Sequence, residues 1–490
     1  MNPKVDIHAT SVDSFEKIEF SSGHRGLSGD EGLWTAMRRI SSATKHKRWL
    51  ILLTSALIVA LCVFINRAQL MRAVIAYKIY HAQIFTPPPM STESAWRRFT
   101  ESVQFYWDFA DFVMARNQRL KQFEPVLKPL VKEIARRESS GEEMGYSMHI
   151  YREVRWLVNS TADDQGTQAK IAELRNSLPL PSAQQHLASE QQSSDGSWGL
   201  GLTSWYLKLY YSVDQVKECR VNPQYPLMFL DRINSPEKLT AVLDSDLMDN
   251  FTVTREFDEE KLNETTSALA RILFAVKPTG CYTFHPGLNI VFRDFIDRWQ
   301  NPADGWWGQW LVDRQGKVWK MDDLSMTFHV ISDTRGQVPH LDLIAKRMLQ
   351  LDDANFPAGV RFEGQYNNHL NWDAVKIFRY AWPYLDTATR QQVRDEISKM
   401  LHWCLIESYR ADGSFKENAL DDTPGDAYRY GVWFLQETGY FEPKQRFWTD
   451  QDFPDAPAVQ ARIEARLKAT GLDDSGLREA YESLQAGKEE

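Results

Sequence analysis

Cysteine is scarce in this chain of 490 residues: there are four, Cys62, Cys219, Cys281 and Cys404. They stand far apart, which excludes a Cys-x-x-C zinc or redox centre and a dense disulfide framework. The spacing allows one disulfide among the last three and favours buried free thiols. Positive charge is also in short supply, since 57 Lys and Arg against 66 Asp and Glu leave a formal charge of −9. No basic stripe follows residue 65, so a nucleic-acid partner, which needs a concentrated basic face, is excluded. Strand-like alternation is rare; one candidate hairpin covers 310–319 and turns at Arg314-Gln315-Gly316. Long apolar runs are limited to one.

That run, residues 49–65, reads WLILLTSALIVALCVFI, 17 residues without a charge. This is near the minimum for crossing a hydrocarbon core of about 30 Å. Arg38, Arg39, Lys45, Lys47 and Arg48 precede it, and Arg67, Arg72 and Lys78 follow. The excess before the run places the N-terminus in the cytoplasm and the main domain outside it. The expectation is a single-pass signal anchor in the inner (plasma) membrane with a periplasmic or otherwise extracytoplasmic domain. A long preceding tail without a small-x-small cleavage site after the run favours an anchor over a cleaved signal. Residues 1–48, rich in Ser, Gly and charge, read as a flexible cytoplasmic tail.

What is abundant is helical periodicity and aromatic side chains, including 17 Trp. Within a helical stalk or subdomain over 66–180, the spacing of Trp96, Phe99, Val103, Tyr106, Ala110 and Val113 predicts an amphipathic long helix or helical hairpin from Ser91 to Glu138, its second half interrupted by Pro125 and Pro129. Stretches 163–166 and 179–194 read as loops. A phrase then repeats: Asp195-Gly196-Ser197-Trp198, Asp304-Gly305-Trp306-Trp307 and Asp412-Gly413-Ser414-Phe415, spaced 109 and 108 residues apart. Each offers a turn at which Gly takes positive φ, followed by an aromatic plug and a helical run. This punctuation predicts an all-α chain of helical hairpins in a ring or solenoid over 190–445, with a helical tail over 446–490.

Gln192-x-x-x-Gly196-x-Trp198 resembles the glutamine-tryptophan turn of terpenoid cyclases, and Asp-Gly-Ser-Trp-Gly recurs in the α/α-toroid superfamily. That superfamily includes cyclases, protein prenyltransferases, and polysaccharide lyases and hydrolases. The resemblance spans 190–440 and implies an α/α toroid, complete or incomplete. Terpenoid chemistry is disfavoured. Lys320-Met321-Asp322-Asp323 lacks the first Asp of the cyclase acid, and the pairs at Asp163, Asp352 and Asp421 do not complete Asp-Asp-x-x-Asp. No zinc ligand set is visible, so neither metal nor cofactor is expected.

Asn367-Asn368-His369-x-x-Trp372 resembles the Asn-Asn-His phrase of alginate lyases and related toroid lyases. The resemblance implies that Asn368 polarises a uronate carboxylate, His369 removes the C5 proton, and Tyr428 or Tyr430 supplies the acid. Trp372, Arg429, Trp306, Trp307 and Asp323 are the accompanying substrate-binding candidates. From the residues alone, a helix N-cap is the preferred reading of Asn367 or Asn368, and a dipole-matched helix start that of Asp322-Asp323. Glu363, Asp373 and Asp426 are alternative carboxyls for glycoside hydrolysis. Sequons at Asn159, Asn250 and Asn263 are compatible with glycosylation.

Two functions follow as expectations. One is a membrane-anchored carbohydrate-active enzyme that processes an envelope glycan or exopolysaccharide by β-elimination or hydrolysis. The other is a non-catalytic toroid, a scaffold or glycan-binding subunit of an envelope protein complex. They part on whether Asn368, His369 and a Tyr or carboxylate converge in one aromatic-lined cavity.

Overall fold

The computed structural model describes residues 67–82, 85–86, 95–140, 142–161, 163–218, 223–249, 251, 257–274, 281–362, 364–416, 424–470 and 475–489. The apolar run 49–65 and the tail before it lie outside the described residues. Among the described residues, no helix is long and apolar enough to cross a membrane. The chain is mainly helical, with a few short strands.

An N-terminal group holds α1 (Arg67–Ala82), α2 (Ala95–Ser139), α3 (Gly145–Ser160), α4 (Asp164–Ser177) and α5 (Ser182–Ser189). The expected interruption of α2 is not found: the helix runs through Pro125 and Pro129. Each proline removes one donor and crowds the preceding turn. Phe123 and Ile134 on either side of them pack with Ile150, Val154, Ile171 and Leu174 of α3 and α4, so tertiary burial outweighs the local break. The two expected loops are also partly helical. Asp163 caps α4 by accepting from the Gly166 amide at 2.8 Å, and α5 occupies the middle of 179–194.

The rest of the chain folds as α6 (Trp205–Glu218), α7 (Pro236–Leu247), α8 (Glu259–Leu273), α9 (Leu288–Trp299), α10 (Leu324–Asp333), α11 (Leu341–Gln350), α12 (Asn368–Ala381), α13 (Thr387–Trp403), α14 (Pro424–Glu437), α15 (Ala456–Ala469) and α16 (Ser475–Glu489). Even-numbered helices pack successively, α6 on α8, α8 on α10, and so on to α16. Odd-numbered helices form a second layer, with α7 against α9 and α11 against α13. The sequence repeat therefore spans two helical pairs, because its turns precede α6, α10 and α14 while α8 and α12 start without one. The hairpin forms as expected, from β3 (Trp310–Val312) and β4 (Val318–Met321). With β1 (Phe85–Thr86) and β2 (Met248–Asp249) it makes a sheet of order β1-β4-β3-β2. Trp319 of β4 stacks on Phe105 of α2 with centroids 4.1 Å apart, tying the two helical groups together.

At the repeated turns Gly196, Gly305 and Gly413 take φ of +85°, +79° and +88°. Trp198, Trp307 and Phe415 behind them are buried. A Cβ on Gly305 would lie 2.7 Å from Ile344 Cγ1 and 2.9 Å from the His340 carbonyl, whereas one on Gly316, at φ +77°, would meet nothing within 4 Å. Gly316→Ala should therefore cost only the left-handed strain, about 1–2 kcal/mol. Gly305→Ala adds displacement of α11 and should cost more than about 3 kcal/mol. Denaturant titration of both variants checks the order; equal losses would contradict the close approach.

Candidate functional site

Asn367 is the N-cap of α12: its Oδ1 accepts from the amides of His369 at 2.8 Å and Leu370 at 3.3 Å. Asn368 is then the first helical residue. Its Nδ2 donates to Ser408 Oγ at 2.9 Å, and its buried Oδ1 has no hydrogen-bond partner among the described residues. The amide hydrogens that the lyase resemblance assigns to a substrate carboxylate are thus partly engaged by Ser408. His369 lies parallel to Tyr430 of α14, with centroids 3.8 Å apart and planes 11° apart. Its Nε2 is 3.9 Å from Asp373 Oδ2, one turn along α12. Burial pushes the Asp373 carboxyl well above the carboxylate range, opposed by Lys376. A buried, poorly hydrogen-bonded carboxyl favours its neutral form.

His369, Trp372, Asp373 and Lys376 recur at helical spacing and share a face of α12. Asp426, Arg429, Tyr430 and Trp433 do the same on α14. Phe328 of α10 meets Trp372 with centroids 5.0 Å apart. Trp372 in turn meets Trp433 at 4.8 Å and Tyr430 at 6.0 Å. Trp372, Trp433 and Lys376 are half-buried, while Phe328 and Tyr430 are buried. Arg429 donates to Asp426 at 2.7 Å and lies over the Tyr430 and Trp433 rings at 4.7 and 5.4 Å. Lys376 Nζ sits 5.0 Å from the Trp372 ring and 5.6 Å from Phe328. It makes no ion pair among the described residues. The result is an aromatic patch across three successive helices, with a cation held over it.

The other candidates are placed differently. Tyr428 points from another side of α14 and packs edge-on against Phe415, 5.9 Å away, so Tyr430 alone of the two meets His369. Trp306 and Trp307 are fully buried, their indole N–H groups donating to the carbonyls of Ile344 and Ile296. They are core residues and offer no face for a sugar. Asp323 caps α10 through the Met326 amide at 2.9 Å. Neighbouring Asp322 is fully buried between Lys320 at 2.6 Å and Arg347 at 2.8 Å. Glu363 and Asn250 lie outside the described residues. The Asn263 sequon is buried and bonds Ser325 Oγ at 3.0 Å, so it is closed to a glycan. Trp433, Lys376 and Phe328 were missed by motif reading. The signal that could have found Lys376 and Trp433 is the repeated three- and four-residue spacing along two helices. The free-thiol reading also needs correction: Cys404 is free and buried, but Cys281 is disulfide-bonded, its partner lying outside the described residues.

No protein-family model, curated protein or solved structure matches the chain.

A carboxyl whose folded pKa exceeds its unfolded value, about 4, stabilises the fold most below the unfolded value. That contribution is lost as pH rises towards the folded one. Asp373 is such a group, and Asp373→Asn keeps its shape without the charge. Relative to this variant, wild type should lose stability steadily from pH 4 upward in denaturant titrations. A pH-independent difference would show that the carboxyl is not held neutral.

Proposed function

We propose that this protein is a membrane-anchored, extracytoplasmic helical toroid that binds a polysaccharide along the aromatic patch of α10, α12 and α14. The observation that carries this reading is the half-buried pair Trp372 and Trp433, 4.8 Å apart and backed by Phe328 and Tyr430. Indole faces accept the C–H face of a sugar ring, and Lys376 and Arg429 beside them supply hydrogen-bond donors. The two-layer alternation of helices supports a toroidal arrangement. The disulfide at Cys281 supports an oxidising compartment, in line with the flanking charge of the apolar run. Trp372→Ala and Trp433→Ala should each weaken polysaccharide binding tenfold or more, equivalent to about 1.4 kcal/mol, as measured by affinity electrophoresis with neutral and acidic polymers. Trp306→Phe should lower stability and leave binding unchanged. Unaltered affinity in both Ala variants would remove the patch from the site.

A second reading, β-elimination, is favoured by the convergence of His369 and Tyr430 with the buried Asp373 carboxyl beside them. In this chemistry His369 takes the C5 proton, Tyr430 protonates the leaving oxygen, and Asn368 polarises the carboxylate. Wild type should then release products with the ultraviolet absorbance of an unsaturated uronate. His369→Ala should abolish that release while the protein still binds polymer. Binding without any unsaturated product from wild type removes β-elimination, and absence of new reducing ends as well leaves the non-catalytic glycan-binding subunit as the function.

A further inference from the structure

The N-terminal ends of the even-numbered helices lie side by side. Tyr206 and Leu207 of α6 line the same cleft as Glu260 and Glu264 of α8. Asn263 of α8 bonds Ser325 of α10, and the contacts of Phe328 with Trp372 and of His369 with Tyr430 continue the row to α14. The cleft at the α6–α8 end is separate from the aromatic patch. Its far wall comes from Arg116 of α2 and from Arg152, Arg155, Trp156 and Asn159 of α3.

The geometry points to this cleft as a binding site for a polyhydroxylated ligand, a saccharide unit whose ring lies at the mouth and whose exocyclic group enters. Three guanidinium groups face three carboxyls, those of Asp258, Glu260 and Glu264, so a bare anion or cation meets both attraction and repulsion. Arg155 stands 3.9 Å from Glu260. Trp156 Nε1 donates to Asp258 at 2.6 Å, and Asp258 also caps α8 through the amides of Glu260 and Lys261. The charges are thus held as fixed neighbouring donors and acceptors. A hydroxyl, which donates and accepts at once, matches such a lining. Half-buried Trp156 offers an apolar face to the C–H side of a ring at the mouth, while the buried Leu207 and Phe257 line the interior. Asn159 Oδ1 is buried without a hydrogen-bond partner among the described residues, an acceptor suited to a ligand hydroxyl. The enclosed volume is about 30 Å³, enough for a few heavy atoms and too small for a whole ring. This site is argued from its own residues and does not depend on the aromatic patch.

The test is saturation-transfer NMR and calorimetry on the full chain in detergent micelles, with glucose, N-acetylglucosamine, glucuronate and inorganic phosphate as probes. Saturable sugar binding is expected, weakened at least tenfold by Asn159→Leu, which removes the acceptor, and by Leu207→Trp, which fills the cleft. Trp433→Ala should leave this binding intact, and phosphate should bind more weakly than the sugars. Thermal melts of each variant identify loss of fold, and either cleft variant alone suffices. Absence of saturable sugar binding to folded wild type overturns the inference. So does binding lost in Trp433→Ala but kept in the cleft variants, or phosphate displacing sugar at lower concentration. Failure of polymer binding at the aromatic patch with sugar binding retained here would remove the proposed function and leave the cleft.

Discussion

Close approach of a backbone to a glycine sets the spacing of this fold. At Gly196 a Cβ would lie 2.0 Å from the Pro226 carbonyl, and at Gly413 2.5 Å from that of Arg462. Both positions also demand positive φ, which a residue with a Cβ adopts only under strain. The preceding Asp of each turn fixes it from the other side: Asp195 and Asp412 accept from the amide and hydroxyl of Ser197 and Ser414. A turn closed in this way delivers an aromatic into the core and starts an even-numbered helix in register with the last one. Two of the three helices that carry the candidate site, α10 and α14, follow such a turn.

The middle turn bears an additional constraint. Asp304 accepts from Lys320 Nζ at 3.1 Å, and Lys320 also meets Asp322, which in turn pairs with Arg347 of α11. Lys320 and Asp322 are almost wholly inaccessible to solvent. Desolvating such charges is expensive, so the net stability from the network is small, but removing one member leaves an uncompensated charge costing about 3–5 kcal/mol. The network joins a turn, a hairpin, the start of α10 and a helix of the second layer. Its consequence is specificity of arrangement around the α10 N-terminus, where Asp323 caps and Ser325 reaches Asn263.

The candidate site has the opposite character, because it accumulates polar groups that are poorly compensated. Among the described residues, fully buried Asn371 has neither amide atom bonded, and Asn368 Oδ1 and Asp373 Oδ1 are in the same condition. Each such atom costs about 1–3 kcal/mol, a loss that core packing around α12 must offset. Stability alone would favour apolar residues at these positions. Their presence beside a half-exposed aromatic surface fits a region shaped for recognition.

The sequence by itself determined the helical class, the three turns, the hairpin and the capping of α12. Each depends on local chemistry: positive φ at glycine, alternation over a few residues, an Asn side chain reaching its own helix amides. It also drew attention to Asn368, His369, Trp372 and Tyr430; His369 and Trp372 both meet Tyr430, while Asn368 turns to Ser408. Only the tertiary structure decided that α2 continues through Pro125 and Pro129, because the opposing term is burial against α3 and α4. Only it could separate Tyr430 from Tyr428, or Trp372 from Trp306 and Trp307, since helices of equal amphipathicity differ in which face meets a neighbour. Trp433 and Lys376 escaped notice for the same reason. Spacing along one helix states which residues share a face; contact between helices states which of those faces is buried and which stays open.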